Sequence, residues 1–390
     1  MSEFQTSNFK KENGGTPDLL GKTELTSPYF FVPPSGDTAS RPASCAAGTL
    51  RFNTDIGSLE VYKGDTIGWE QIQRRESQYL GGGTGSNAGT GTRGVFAGGY
   101  TQNSSPYPTT DLIDFITIET LGNAQDFGNL SNAGNVTNAC ASSTRGLFHL
   151  LNGSHINNTN KIDFVTFSST GNASDFGDLS ESRGGVGNGG CGSSTRGLFG
   201  SGTTYSPTSF KDTIDYVTIA QTGNAVDFGN LTLARGDVAA LSSSTRGVWA
   251  GGYTPTHQNI MDFVTISTTG NAADFGDMTT TRVRVSAASN STRGIHFGGQ
   301  VPTVINSINF ITIATLGNGI DFGDLTVVKR HSTAASNSTR AVCYGGDSDQ
   351  PIRNIIDFVT IATTGDATDF GDGTDERYSL GGVSNGHGGL

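Results

Sequence analysis

The sequence predicts an all-β fold built from six copies of one four-stranded unit, and three periodic phrases carry that expectation. A phrase reading Ser-Thr-Arg-Gly, or close to it, recurs with its threonine at Thr92, Thr144, Thr195, Thr245, Thr292 and Thr339, in steps of 52, 51, 50, 47 and 47 residues. Asp-Phe-Gly keeps the same beat from Asp126, Asp175, Asp227, Asp274, Asp321 and Asp369. Between them lies an Ile-Asp-Phe-like phrase with its aromatic at Phe115, Phe164, Tyr216, Phe263, Phe310 and Phe358. Phrases locked in phase through six copies describe an array of one supersecondary unit, and short strands at this period suit the blades of a propeller. Composition agrees, because glycine supplies 57 of 390 residues and charged residues only 15%. Glycine serves tight turns, and the abundant Thr, Val, Ile and Phe suit a pleated surface.

Taken in order, residues 1–27 are polar, hold Gly14, Gly15 and Pro17, and show no apolar period, so they read as an extended arm. Residues 28–75 read as a three-strand β-meander. Thr49 to Asn53, Leu59 to Tyr62 and Trp69 to Ile72 alternate, and Asp55-Ile56-Gly57 and Lys63-Gly64-Asp65 supply the turns. So small a module has little core of its own and is expected to dock on another surface. Residues 76–390 are the array. Its unit is clear from Arg235 to Met278: a small apolar strand Val238 to Leu241, a Ser-rich turn, a second strand Arg246 to Gly252 and a variable loop. A third strand Ile260 to Ile266, a Thr-Gly-Asn turn and an outer strand Ala273 to Met278 complete it. Seven segments compete for six first-strand places, and the C-terminal one, Ser379 to Ser384, is expected to close the array beside Arg93 to Gly99 in preference to Gln78 to Gly83.

The order of arginine, small apolar strand, strand ending in Gly-Gly, aromatic strand and aromatic outer strand resembles the kelch repeat. The glycine pairs are Gly98-Gly99, Gly251-Gly252, Gly298-Gly299 and Gly345-Gly346, whereas Leu150-Leu151 and Ser201-Gly202 depart from the pattern. The outer-strand tryptophan of that repeat is phenylalanine throughout. The resemblance implies a six-bladed kelch-like β-propeller. Separately, Arg41-Pro42-Ala43-Ser44, Gly48 to Asp55, Leu59 to Tyr62 and Gly68-Trp69 resemble a segment of phage tail-fibre and other virion proteins. Joined to the Asp-Phe-Gly repeats, this is similar to structural proteins of marine cyanophages. It implies a virion protein made in the host cytoplasm, present in multiple copies per particle, and bound to other virion proteins through residues 1–75.

The formal net charge of −11 and the lack of a Lys/Arg cluster argue against a nucleic-acid partner. No apolar run reaches the 18 residues of a membrane span, and the opening Met-Ser-Glu-Phe-Gln-Thr lacks the organisation of a secretory signal. Cys140 and Cys191 occupy equivalent places in neighbouring units and, with Cys45 and Cys343, read as small thiols of a reducing cytoplasm. Asp-Phe-Gly shares only its letters with the magnesium motif of kinases, since no His-Arg-Asp accompanies it. Gly81 to Gly85 lacks the Gly-Lys-Ser/Thr of a phosphate loop. His149, His155, His257, His296, His331 and His387 show no metal-ligand spacing, and the Gly-Asn-Ala-x-Asp-Phe-Gly-Asp phrase is not an EF-hand. No catalytic residue, metal or cofactor is expected.

Two near-invariant sets within the repeats are expected to pair as a buried ladder. They are Arg93, Arg145, Arg196, Arg246, Arg293 and Arg340, and Asp114, Asp163, Asp215, Asp262 and Asp357, with Asn309 in the fifth unit. Binding is expected on the variable loops after the second strands, where Tyr100, Tyr107, Tyr205, Tyr253 and His257 offer rings to a host-surface glycan or protein. The expected function is a non-enzymatic virion structural protein, whether tail fibre, tail accessory or capsid decoration, that serves host attachment. The alternative is a carbohydrate-binding adhesion propeller outside any virion.

Overall fold

Turn residues cut the chain into short strands, and a computed structural model describes residues 34–390 apart from 56–57, 67, 72–91, 103–106, 153–157, 186, 206 and 349–350. The arm 1–27 and the competing segment Gln78 to Gly83 lie outside the described residues. Every regular element described is a β-strand, and they form seven four-stranded sheets with two small hairpins. The chain divides into two compact units between Ser77 and Gln78.

The N-terminal unit corrects the three-strand meander. Leu50–Asn53, Ser58–Tyr62 and Trp69–Gln71 pair antiparallel, and the short strand Ser35–Gly36 joins beside the first of them in parallel. That fourth strand arises because Phe52 and Thr54 donate their N–H groups to the carbonyls of Pro34 and Gly36. Its interior is largely polar. Glu60 is fully buried, is clamped by Arg41 and accepts a 3.0 Å bond from Asn53 Nδ2.

Six sheets make up the second unit, each running first to fourth strand outward in an antiparallel meander. The fourth sheet shows the pattern: Ala239–Ser242, Arg246–Ala250, Ile260–Thr265 and Ala273–Asp277, within two residues of the sequence expectation at every boundary. The first sheet takes its first strand from the chain's end, where Gly381–Ser384 pairs with Arg93–Ala97 in the place expected for it. There the side chain of Asn385 accepts the Arg93 N–H at 2.8 Å, as the turn residues Ser142 and Asn290 do for Arg145 and Arg293.

Apolar side chains collect between sheets rather than within them. Six clusters each join two neighbouring sheets, and the sixth joins Val342, Tyr344 and Phe370 of the last sheet to Phe96, Ile116 and Leu380 of the first. The first strands, rich in Ala, Ser and Gly, contact one another in succession, and the last contacts that of the second sheet, Gly134–Ala141. Small residues fit there because six backbones converge.

The two repeated glycines have a shared cause. Each outer strand bulges at the phenylalanine of Asp-Phe-Gly, one residue more than the third strand opposite it. The following glycine takes positive φ and pairs with the residue before the third-strand aspartate or Asn309, as Gly276 at φ +140° pairs with Met261. The Thr-Gly-Asn turn of the next sheet then lies on that outer strand. Gly270 and Ala272 donate to the carbonyls of Phe228 and Asn230, and Asn271 Oδ1 accepts the Asn230 N–H at 3.1 Å. A Cβ on Gly229 would meet the Gly270 carbonyl. The latch occurs six times and returns on itself, with Gly122 donating to Phe370 and Asn123 accepting from Asp372.

Candidate functional site

The repeated arginines do not pair with the strand aspartates. Each guanidinium lies over the third-strand aromatic of its own sheet, 4.5 to 4.9 Å from the ring centroid, from Arg93 over Phe115 to Arg340 over Phe358. The ring in turn meets the outer-strand phenylalanine edge-on, as Phe263 meets Phe275 at 6.0 Å. From this stack the arginine reaches the following sheet: Arg145 Nη1 donates to Ile219 O at 3.1 Å and Arg340 Nη1 to Ile118 O at 3.1 Å. A guanidinium suits the task because it stacks by its face and donates by its edge.

The aspartates instead meet a second cation set just ahead of the first strands. Arg377 pairs with Asp114 at 2.5 Å, Arg183 with Asp215 at 3.0 Å, Arg235 with Asp262 at 2.6 Å and Lys329 with Asp357 at 2.8 Å, all with side chains at 0% exposure. Arg282 meets Asn309 at 2.5 Å. In the second sheet the equivalent residue is Gly134, whose carbonyl accepts the Gly99 N–H as that of Arg282 accepts from Gly252. Asp163 there has Lys161 at 3.7 Å, supplied by its own strand. Burial opposes charge on Arg377, but Asp114 and Tyr344 hold its pKa above the ordinary value. These groups are spent on structure.

The predicted aromatic face divides. Tyr100 is 2% exposed and stacks on Tyr378 at 5.1 Å, so it is a packing residue and not a binding ring. Tyr107 and Tyr253 are exposed, at 41% and 37%. His257 is half-buried, edge-on to Tyr253, which also meets Phe210. Tyr205 is half-buried, and its hydroxyl pKa is pushed up to about 12 by burial and by Asp237.

The six first strands enclose a central cavity of about 60 Å³, lined by residues such as Ala240, Ala288, Ala335, Cys140 and Cys191. Its volume suits a few waters and no organic ligand. Serine hydroxyls tie the strands at one end: Ser242 Oγ donates to Gly192 O, Ser289 Oγ to Ser242 O and Ser336 Oγ to Ser289 O, at 2.7 to 2.8 Å. Gly192 has no hydroxyl, and His387 Nε2 donates in its stead to Ala141 O at 2.8 Å. The C-terminal tail thus closes that end, with Gly388 donating to Ser289 O.

At the other end stands a constellation that sequence reasoning missed. Asp237, Arg284, His331 and Ser379 each lie two residues before a first strand and hold φ of 56°, 60°, 53° and 55°. Left-handed backbone costs a non-glycine residue about 1–2 kcal/mol. Four such residues adjoin, because Arg284 N–H donates to Asp237 O, His331 N–H to Arg284 O and Ser379 N–H to His331 O. The side chains of Arg284 and His331 join a polar network. Arg284 and Arg330 both donate to Gln300 Oε1, at 3.0 and 2.8 Å, and Arg330 pairs with Asp347 at 3.2 Å. His331 Nδ1 donates to Asp347 Oδ1 at 2.8 Å. Burial lowers the His331 pKa, so its ring is neutral, while Asp347 is kept ionised against burial by His331 and Arg330. Two arginines therefore face two carboxylates. The available signal is a position reading Asp, Arg, His and Ser between the repeated cation and the first strand.

Among the described residues no group of three or more His, Cys, Asp or Glu is placed to hold a metal ion, and no helix is long and apolar enough to cross a membrane. The chain matches no protein-family model and no curated protein sequence.

Proposed function

We propose that this chain is a non-enzymatic virion structural protein. Residues 1–75 attach it to the particle, and residues 76–390 are displayed as one closed six-bladed propeller whose loop face meets the host surface. The carrying observation is the contrast between the units. The array satisfies its own interfaces all the way round, with the arginine staple, the outer latch and the apolar clusters each linking the last sheet to the first. The N-terminal sheet buries Glu60 and Asn53, and Tyr62 is its one fully buried apolar residue among those described. A module of that kind gains stability from a partner. A structural role also fits the use of the repeated Arg and Asp residues, which are consumed in staples and buried pairs. Tail fibre, tail accessory and capsid decoration all accommodate this organisation.

Gradient sedimentation of particles tests the reading. The full chain is expected to co-sediment with particles, and a chain lacking residues 1–75 is expected to fold and stay at the top of the gradient. Normal incorporation of the truncated chain would overturn the attachment role of residues 1–75. A full chain that never co-sediments would favour the alternative, an adhesion propeller that binds carbohydrate outside any virion. Exposed Tyr107 and Tyr253 keep that second reading in view.

A further inference from the structure

We propose that the apolar face of the N-terminal sheet is a contact between two copies of this chain. Such a contact stands whether or not the chain belongs to a virion. The sheet carries an inverted pattern. An antiparallel sheet with one wet face ordinarily turns its apolar residues inward and its polar ones to water. Here Arg51, Asn53 and Glu60 are buried together with Tyr62, on the side covered by residues 37–43. Arg51 Nη2 donates to Asp37 O at 2.8 Å, Trp69 Nε1 donates to Pro42 O at 3.0 Å, and Arg41 clamps Glu60. The register then fixes the opposite face. Leu50 stands across from Val61 and Phe52 across from Leu59, and none of the four is buried. Leu50 is 44% exposed and Leu59 38%. Adjoining apolar side chains held in water mark an interaction surface.

Charge decides what covers this face. The chain carries −11, so two copies repel one another over most of their surface. The apolar face instead bears one charge of each sign. Glu70 stands across from Val61, and Lys63 lies two residues beyond Val61 on the same side of its strand. The two pair with each other and are 50% and 47% exposed. The turn carboxylates Asp55 and Asp65 are drawn to the covered side, where they accept from Thr38 and from Tyr62 and Ser44. An apolar face edged by one cation and one anion is complementary to itself. A twofold axis passing between Lys63 and Glu70 sets each against its opposite in the second copy and brings Leu50 and Val61 against their counterparts. A partner of single-signed charge would repel one of the two, and an apolar one would desolvate both without recompense. Four apolar side chains make a small interface, so a reversible dimer with a Kd of about 1–100 µM is expected.

Sedimentation equilibrium of the full chain at about 1–200 µM reads the contact directly. A reversible monomer–dimer equilibrium is expected. Leu50→Glu, at a position already open to water in the single copy, is expected to weaken it about tenfold or more. Charge-exchange variants identify the occupant. Lys63→Glu sets like charges against each other across the axis, as does Glu70→Lys, and each alone is expected to stay monomeric where the parent dimerises. Their equimolar mixture restores opposite charges at both contacts and is expected to dimerise as the parent does. Recovery in the mixture separates lost recognition from lost folding, because it contains the same two variant chains. The contact is overturned if the full chain stays monomeric throughout, if Leu50→Glu or either charge variant dimerises like the parent, or if the mixture stays monomeric. Particle sedimentation keeps the two readings apart. A monomeric chain that joins particles overturns the dimer and leaves the virion role standing. A Leu50-dependent dimer that never joins particles supports the contact and removes the virion role.

Discussion

Arg282 shows what a buried cation loses when its carboxylate is replaced. Burial pulls its pKa down to about 10, and the Asn309 amide supplies only a neutral acceptor where the sister sheets place Asp. Asn309→Asp is therefore expected to raise stability by about 1–3 kcal/mol. Asp262→Ala, which leaves Arg235 buried and uncompensated, is expected to cost about 3–5 kcal/mol. Chemical denaturation of the two variants checks both. A related misfit is His296, fully buried with its Nε2 unbonded, at the position that reads Phe96, Phe148 and Phe199 in the first three sheets. Burial, with Arg282 adding to it, lowers its pKa to about 3, and burial does the same to His149. Both rings are neutral when folded, and the unfolded chain binds protons more readily below its ordinary histidine pKa. Their contribution is thus fully present above pH 6.5 and is lost progressively as pH falls toward 3. His296→Phe is expected to raise the unfolding temperature at pH 7 and to flatten its decline between pH 6 and 4, within the window these shifts define. An unchanged slope in the melting curves would contradict the assignment.

Among elements, the outer latch makes one glycine far more costly to replace than its neighbour in the same contact. Gly270→Ala places a side chain at φ +157° in open space, at a cost of about 1–3 kcal/mol. Gly229→Ala adds a collision with the Gly270 carbonyl, so its loss in thermal stability is expected to be the larger. Equal losses in the two variants would show that the turn yields freely. This contrast also marks what is legible in the sequence. Strand boundaries are readable because Asp-Phe-Gly and a turn reading Thr-Gly-Asn or close to it punctuate every copy, and Gly-Gly four of the six. The partners of the repeated residues are not. Arginine and aspartate repeat at the same period, so spacing alone cannot tell a stack on Phe263 from a pair with Asp262, its chain neighbour. The true cation series hides because Lys329 and Gly134 interrupt it. The left-handed constellation escapes for a physical reason as well: positive φ is read from glycine, and here Asp237, Arg284, His331 and Ser379 carry it. Tyr100 passes for a loop ring because nothing local announces Tyr378 as its stacking partner across the ends of the array.

At the scale of the whole molecule, the first sheet is assembled from both ends of the array. Gly381–Ser384 pairs with Arg93–Ala97, and Leu380 and Val383 fill the clusters on its two sides. Removing residues 379–390 would leave a strand edge unpaired, a known route to association. The truncated chain is expected to sediment as aggregates and to lose a single cooperative calorimetric transition, whereas a monomer with an unchanged melting curve would show that the last strand is dispensable. The same seam sets an order of events during synthesis. A ribosome releases residue 93 long before residue 384, so five sheets can form while the first still lacks a strand. Any nascent chain cut short by a stalled ribosome or an early stop codon keeps an open, adhesive edge. Only a chain extended through Ser384 can close the first sheet, so emergence of that strand is the step at which the open edge disappears.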